Sequence, residues 1–483
     1  MQELEDYLDI GIADLHNKLI HSEVTSVRLV EYYLHRIATY DPTLNSIQMA
    51  SPLALDEARA LDAELANSGP RSPLHGVPIL VKDNYATVGV KTTAGSLLFA
   101  EHRPARDAFQ VQRLREAGAV ILGKTTMHEF AYGITTVGSN FGATGNAYDA
   151  SRNPGGSSGG TGAAVAANFA VAGFGSDTCG SIRIPAAQNN LVGLRGTQGL
   201  SSRTGIIPLS STQDIGGPLA HNIADLALLL DATIGVDPED VQTVRSAADH
   251  PRDLHAGLTP TRDARIGILS DWMVQEDGDE DVAAVVRSGL QAMVEAAGWQ
   301  LQELASPQVN AAVDRPWNGH MVLIYDFKQD IERYLEAHPE LGYADLDAIL
   351  ADGRTHAEIL PSLQASASMG PDSRASYERE LAQREVVRGA LLQLLEEHQL
   401  DALAYPTIRR IAAPIGAEQM GTNCRLAANS GLPALSVPIG FHADMPVGLE
   451  LLGRGFDEQR LLNLGLAVET YYPQRRLPDL ISE

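Results

Sequence analysis

An α/β fold around an at least partly parallel sheet is predicted by three features of this 483-residue sequence. Short apolar runs of strand length alternate with helical patterns along the chain. Apolar residues make up 44% and charged residues 20%, the balance of a globular protein with enough chain to bury a sizeable core. Glycine is dense between Gly133 and Gly217, yet strand and helix signals are threaded through it. Such glycine marks ordered backbone in tight turns or close approaches, not a flexible linker.

The elements follow in order. Thr25 to Tyr40 reads as a helix: Thr25 is a plausible N-cap, and Leu29, Val30, Tyr33, Leu34 and Ile37 recur at helical spacing. Leu53 to Asn67 is a second helix, closed by Gly69. Val77 to Val81 is a buried strand. Arg106 to Ala117 is helical and leads into a strand at Ala119 to Leu122. Val171 to Gly175 and Arg265 to Leu269 are further strands, and Ile223 opens a helical pattern. Residues 250 to 263 read as a surface connection. Val309 to Ser376 is helical but irregular, and late strands are expected at Asp401 to Tyr405 and Ala434 to Phe441. There is no internal repeat and no low-complexity tract.

A formal charge of −25 argues against nucleic acid or an anionic membrane as partner, since both need basic patches. Two cysteines, Cys179 and Cys424, make no disulfide framework and no Cys-x-x-Cys zinc motif, and His-Glu-x-x-His is absent. No apolar run approaches the roughly 20 residues of a membrane span. The acidic start MQELEDYLDI lacks the apolar stretch of a signal peptide. The expectation is a cytoplasmic enzyme or binding protein with no metal and no cofactor.

Three local patterns carry possible chemistry. Gly118 to Thr125 matches the phosphate-loop pattern, but its intervening Ala-Val-Ile-Leu reads as a strand where the chemistry needs a loop of N–H groups. Gly155-Gly156-Ser157-Ser158-Gly159 contains Gly-x-Ser-x-Gly, but a turn precedes it where a nucleophile elbow needs a strand. Alone it is a Gly/Ser-rich loop. Lys82 ends an apolar strand in Val81-Lys82-Asp83-Asn84. A lysine there is ordinarily solvated; buried, it must be paired or neutral, and a neutral lysine is a base.

Taken together with Gly175-Ser-Asp177-Thr178-Cys179-Gly180-Ser181-Ile-Arg183-Ile-Pro185, these pieces resemble the amidase signature family. The likeness extends to Leu74-His-Gly-Val-Pro78, Gly123-Lys-Thr-Thr-Met-His-Glu129, Gly193-Leu-Arg-Gly-Thr197, Ser211 to Pro218, Asp401 to Thr407, Gly431 to Pro438 and Pro446-Val-Gly-Leu-Glu450, nearly the whole chain. It implies one α/β/α domain over 1–483 with a large twisted mixed sheet flanked by helices. The signature core would span about 70–220, and a variable, pocket-covering helical region about 309–395. It also implies a Ser–cis-Ser–Lys triad on Ser181, Ser157 and Lys82.

In the mechanism so implied, neutral Lys82 draws a proton through Ser157 from Ser181, which attacks an amide carbonyl. The backbone N–H groups of Thr178, Cys179, Gly180 and Ser181 form the oxyanion hole, and Ser158, Asp177 and Arg183 support the loop. Cys179 stands where the family commonly has Gly; it reads as a small buried hydrophobe, with Ser181 keeping the nucleophile's place. Glutamyl-tRNA amidotransferase subunits of the family typically carry Gln where Ile184 stands. They also have a late Asp-x-Tyr-Thr-x-Pro-x-Asn element where this chain reads Gly421 to Asn429. Tyr325 to Leu335 resembles the peptide-amidase and aryl-acylamidase-like branch. A monomeric or homodimeric hydrolase of a small apolar or aromatic amide, anilide or carbamate is expected. The alternatives are a nucleotide-binding protein and an amidotransferase-type subunit that releases ammonia.

Overall fold

The six apolar runs read as strands hydrogen-bond, with five strands the sequence did not announce, into one mixed sheet of eleven. In the computed structural model, which describes residues 7–313 and 320–481, these are β1 (Ile47–Ala50), β2 (Pro78–Lys82), β3 (Val120–Thr125), β6 (Ala172–Asp177), β7 (Val192–Arg195), β8 (Ile215–Ala220), β9 (Arg265–Leu269), β10 (Gln300–Leu304), β11 (Ala402–Pro406), β12 (Ala434–His442) and β13 (Met445–Leu452). A separate two-stranded pair joins β4 (Val137–Gly138) to β5 (Gly142–Ala143). Across the sheet the order is β1-β3-β2-β6-β8-β7-β12-β13-β11-β9-β10. The expected α/β fold, a mixed sheet flanked by helices, is what the chain adopts.

Connection length explains which neighbours are parallel. β2 pairs in parallel with β3 and with β6, and helices Phe109–Glu116 and Gly159–Ala166 lie in the intervening chain. Helix Glu280–Ala297 lies in the same way between parallel β9 and β10. β12 and β13 are antiparallel and joined by Ala443 and Asp444, both at positive φ, the two-residue hairpin geometry that matches strand twist. Because β2 and β6 run the same way, Lys82 and Asp177 finish at the same edge of the sheet. Crevices at the carboxyl ends of parallel strands are where open α/β sheets place their ligands.

Element boundaries moved where tertiary contacts outweigh local preference. The helix expected from Thr25 runs on to Leu44, with the Thr25 side chain accepting from the Arg28 N–H. The helix expected from Arg106 begins only at Phe109, because the Ala108 N–H donates to the Ala86 carbonyl and the Asp107 carboxylate accepts from the Val88 N–H. β3 continues past Leu122 through Gly123, Lys124 and Thr125, which pair with Leu80, Val81 and Lys82. The phosphate-loop-like pattern is therefore sheet, as its apolar filling suggested.

The irregular region resolves, among the described residues, into helices Pro307–Val313, His320–Ala337, Leu346–Asp352, Leu360–Ala367 and Arg374–Glu397. Residues 314–319 of it, and residues 1–6 of the acidic start, lie outside the described residues. Phe327, Ile331, Ile349 and Leu363 pack on Phe99, Phe130, Ile207 and Leu209 as an apolar cluster apart from the main core. No helix of the described residues is long and apolar enough to cross a membrane.

Candidate active site

Lys82 is fully buried at the end of β2. Its Nζ lies 2.7 Å from Ser157 Oγ and 2.9 Å from Ser176 Oγ, and Asn84 Nδ2 donates to that same Ser176 hydroxyl. Among the described residues, no carboxylate lies within ion-pair distance of it. Lys124, equally buried, faces Asp83 at 3.6 Å and is lowered less, to about 8. Burial penalises the ammonium and lowers the Lys82 pKa from 10.5 to about 7; the more distant Asp214 and Asp177 oppose the shift only in part. A lysine in that state is a base near neutral pH.

Ser157 follows a cis peptide bond from Gly156, as the family likeness implies. Ser158 ties this loop to β6: its hydroxyl donates to the Ser176 carbonyl at 3.2 Å and accepts from the Ser176 N–H at 3.3 Å. Gly175 is required beside it, since a Cβ there would stand 2.6 Å from Ser158 Oγ. The Ser158 N–H donates to the Ser181 carbonyl at 3.2 Å, which brings the two serine loops together. Among the described residues no hydrogen bond joins the Ser181 hydroxyl to Ser157 or to any other group. Ser181 lines a cavity of about 270 Å³, behind which Ser157 and Lys82 are buried.

Asp177 organises the loop between them. Its carboxylate accepts from the N–H groups of Gly180 at 2.7 Å and Ile182 at 3.1 Å, from Arg183 Nε at 3.1 Å and from Arg195 Nη1 at 2.9 Å. Burial alone would raise its pKa, but the two guanidinium groups hold it well below the usual carboxylate range. One expectation is corrected here. The Gly180 N–H is committed to Asp177, so it is not a free oxyanion donor. The N–H groups of Thr178, Cys179 and Ser181 have no acceptor among the described residues. Thr178 is held in turn by its hydroxyl, which donates to Asp214 at 2.5 Å.

A second correction concerns Cys179. It is neither a lone buried hydrophobe nor a free thiol: it forms a disulfide with Cys424, 245 residues away in sequence. Two cysteines do not make a framework, but they do make one bond, and spacing alone could not show that Gly421 to Asn429 folds over the loop from Asp177 to Arg183. Gly180, at φ +88°, leaves the room; a Cβ there would stand 2.8 Å from Cys424 Cβ. We expect no free thiol in the unreduced, denatured chain and two after reduction, read by alkylation and mass. Cys179→Ala keeps the N–H donor and should retain turnover within about tenfold. It should cost about 2–4 kcal/mol of stability through the lost cross-link, read by denaturant titration.

Three participants escaped the sequence reading. Arg195 binds Asp177, and its Nη2 donates to the Gln213 carbonyl at 2.7 Å. Glu450 accepts from Arg183 and, at 2.9 Å, from the Tyr405 hydroxyl. Ser176 holds Lys82. A signal existed for the two charges: each sits in an otherwise apolar strand, Val192–Arg195 and Met445–Leu452, where a charge must find a buried partner.

The cavity wall is mostly apolar and is shared by distant parts of the chain. Tyr132 and Ile134 come from the core, Leu209 from the segment before β8, and Leu323 from helix His320–Ala337. Ser362, also from the region 309–395, reaches it too. Thr422, Cys424, Arg425 and Asn429 supply another side.

A family model described as Amidase matches residues 28–462. Curated relatives include glutamyl-tRNA(Gln) amidotransferase subunits from Roseiflexus sp. (strain RS-1), 35% identical over 98% of both chains, and from Chloroflexus aggregans, 36% identical over 99% of both. Among solved structures, native peptide amidase from Stenotrophomonas maltophilia superposes with a TM-score of 0.88 at 34% identity, covering 98% of this chain and 99% of that one. An amidase family protein from Bacillus anthracis gives 0.86 at 31% identity, covering 99% and 93%.

Proposed function

Since the chain belongs to the amidase family, and so to enzymes acting on C–N bonds, we propose that it is a stand-alone serine amidohydrolase of a small apolar or aromatic amide, anilide or carbamate. The observation that carries this reading is the buried Lys82, with no carboxylate at ion-pair distance among the described residues, hydrogen-bonded to Ser157 beneath an apolar cavity lined by Ser181. Ser181 attacks the carbonyl carbon. Its proton passes to Ser157, whose own proton passes to Lys82. The tetrahedral oxyanion is met by the N–H groups of Thr178, Cys179 and Ser181, each such donor worth about 3 kcal/mol. The proton returns along the same path to the leaving amine, and water then hydrolyses the acyl-enzyme. Substrate closes the gap between Ser181 and Ser157, since catalytic hydrogen bonds commonly tighten only in the Michaelis complex.

The single-domain extent over 1–483, the signature core about 70–220 and the covering region about 309–395 belong to the same proposal, as does a monomeric or homodimeric state. So does cytoplasmic residence.

The second reading is an amidotransferase-type subunit releasing ammonia to a partner chain, favoured by the names of the curated relatives. Against it, Ile184 replaces the Gln typical of those subunits, and Gly421 to Asn429 is a different element that closes the cavity through its disulfide. Turnover by the purified chain alone, on a panel of p-nitroanilides, primary amides and aryl carbamates, decides between them. We expect hydrolysis of apolar acyl or aryl members. Inactivity on the whole panel, with a partner chain co-purifying, would transfer the assignment to the second reading.

A further inference from the structure

Away from Ser181, two histidines and a carboxylate converge where the covering region meets the core. His102 stands just beyond the turn Leu97–Phe99, and its side chain has no solvent exposure. Its Nε2 lies 2.8 Å from the Tyr334 hydroxyl. Its Nδ1 is buried and has no hydrogen-bond partner. That atom is 3.6 Å from Glu340 Oε1, and the same oxygen is 3.0 Å from His338 Nδ1. One ligand atom from each of the three residues lies within 4.8 Å of the others.

We propose that His102, His338 and Glu340 bind one divalent transition-metal ion of the zinc class, at a site separate from the Ser181 chemistry. An orphaned ring nitrogen in a buried position is costly, and 3.6 Å is too long for Glu340 to satisfy it by hydrogen bonding. Two imidazoles and a carboxylate are the nitrogen and oxygen donors that zinc takes at about 2.0–2.2 Å. Tetrahedral ligands at that radius stand about 3.3 Å apart; the two separations from Glu340 Oε1, 3.6 Å to His102 Nδ1 and 3.0 Å to His338 Nδ1, bracket this value, the shorter being a hydrogen bond that the ion would replace. The two imidazole rings are 5.0 Å apart at 78°, so neither is stacked flat against the other. In the metal-bound tautomer His102 Nε2–H would donate to the Tyr334 hydroxyl 2.8 Å away, leaving the Nδ1 lone pair for the ion, the outer partner that metal-bound histidines require. The fourth position is left to water, because Glu340 and His338 lie at the surface side of the cluster.

The position gives the ion a consequence. His338 and Glu340 follow directly on helix His320–Ala337, and His102 belongs to the core. Tyr334 of that helix stacks on Phe99, Phe99 meets Phe130 edge-on, and Phe327 contacts both Phe130 and Tyr132. Tyr132 and Leu323 are cavity wall. An ion at the far end therefore fastens the covering helix to the core without touching the reacting atoms.

The test uses the full chain without an affinity tag, stripped by chelator and dialysed. Zinc is titrated by calorimetry, and cobalt(II) by its visible absorption. We expect one saturable site, a tetrahedral cobalt spectrum and a thermal midpoint that rises with zinc. His338→Ala and Glu340→Gln alter surface-side groups and should fold; each should weaken zinc at least about tenfold and remove the zinc-dependent rise in midpoint. The stripped enzyme should keep its hydrolytic turnover. Failure of either ion to saturate at micromolar concentration overturns the proposal. So does binding that survives unchanged in both variants, which would assign it to others of the chain's 14 histidines.

Discussion

Ser181→Ala should abolish amide hydrolysis and leave the fold intact. The substitution removes one hydroxyl that faces a cavity and makes no hydrogen bond among the described residues, so no buried partner is orphaned. Removing the nucleophile of a relay that acts as a unit costs on the order of 10⁶-fold in turnover, because the remaining members have nothing to activate. A fluorophosphonate should label Ser181 and no other residue, read by peptide mass. Circular dichroism and thermal midpoint should match the parent chain. Labelling at Ser157, or undiminished turnover in Ser181→Ala, would refute the assignment of the nucleophile.

Lys82→Ala should lower turnover by several orders of magnitude, and the pH profile of the parent chain should say why. The base must be neutral. Burial lowers its pKa to about 7, so kcat/KM should rise with pH through about 7 and level off above it. A solvated lysine would still be gaining activity near its ordinary value of 10.5. The stability linkage has the sign of a depressed lysine: the unfolded chain holds this proton between about pH 7 and 10.5 and the folded chain does not, so this group's contribution to stability rises with pH across that window. Lys82→Arg separates chemistry from packing. A guanidinium stays charged at any accessible pH, so it should be as inactive as Ala. Activity in Lys82→Arg, or a profile flat through neutrality, would remove Lys82 from the role of base.

Much of this was legible in residues 77 to 217. Strand β2 is five consecutive buried residues, and an apolar run bounded by turn signals is read without tertiary knowledge. The residue types at Lys82, Ser157 and Ser181 carry their chemistry with them, and the structure brings Lys82 onto Ser157 and the two serine loops together. Other elements were silent. β8 reads Ile-Gly-Gly-Pro-Leu-Ala, which has little strand propensity, and helix Gly159–Ala166 begins Gly-Gly-Thr-Gly. Their glycines are needed because neighbours approach too closely for larger side chains: a Cβ on Gly216 would stand 2.5 Å from the Tyr85 hydroxyl and one on Gly160 2.3 Å from the Thr126 carbonyl, a condition set by the partner and not by the segment.

By itself the sequence determined the α/β class and the order of the main strands and helices, and its motifs carried the family likeness that points to Lys82, Ser157 and Ser181. These are local properties, written in hydrophobic period, turn residues and side-chain chemistry. Only the tertiary structure decided that Lys82 has no carboxylate at ion-pair distance among the described residues while Lys124 has one, that Asp177 takes up the Gly180 N–H, and that Cys179 is bonded to Cys424. Each of those is a question of which distant group fills the last few ångströms around an atom. A pKa, a free donor and a disulfide are set by that neighbour, and chain order does not specify it.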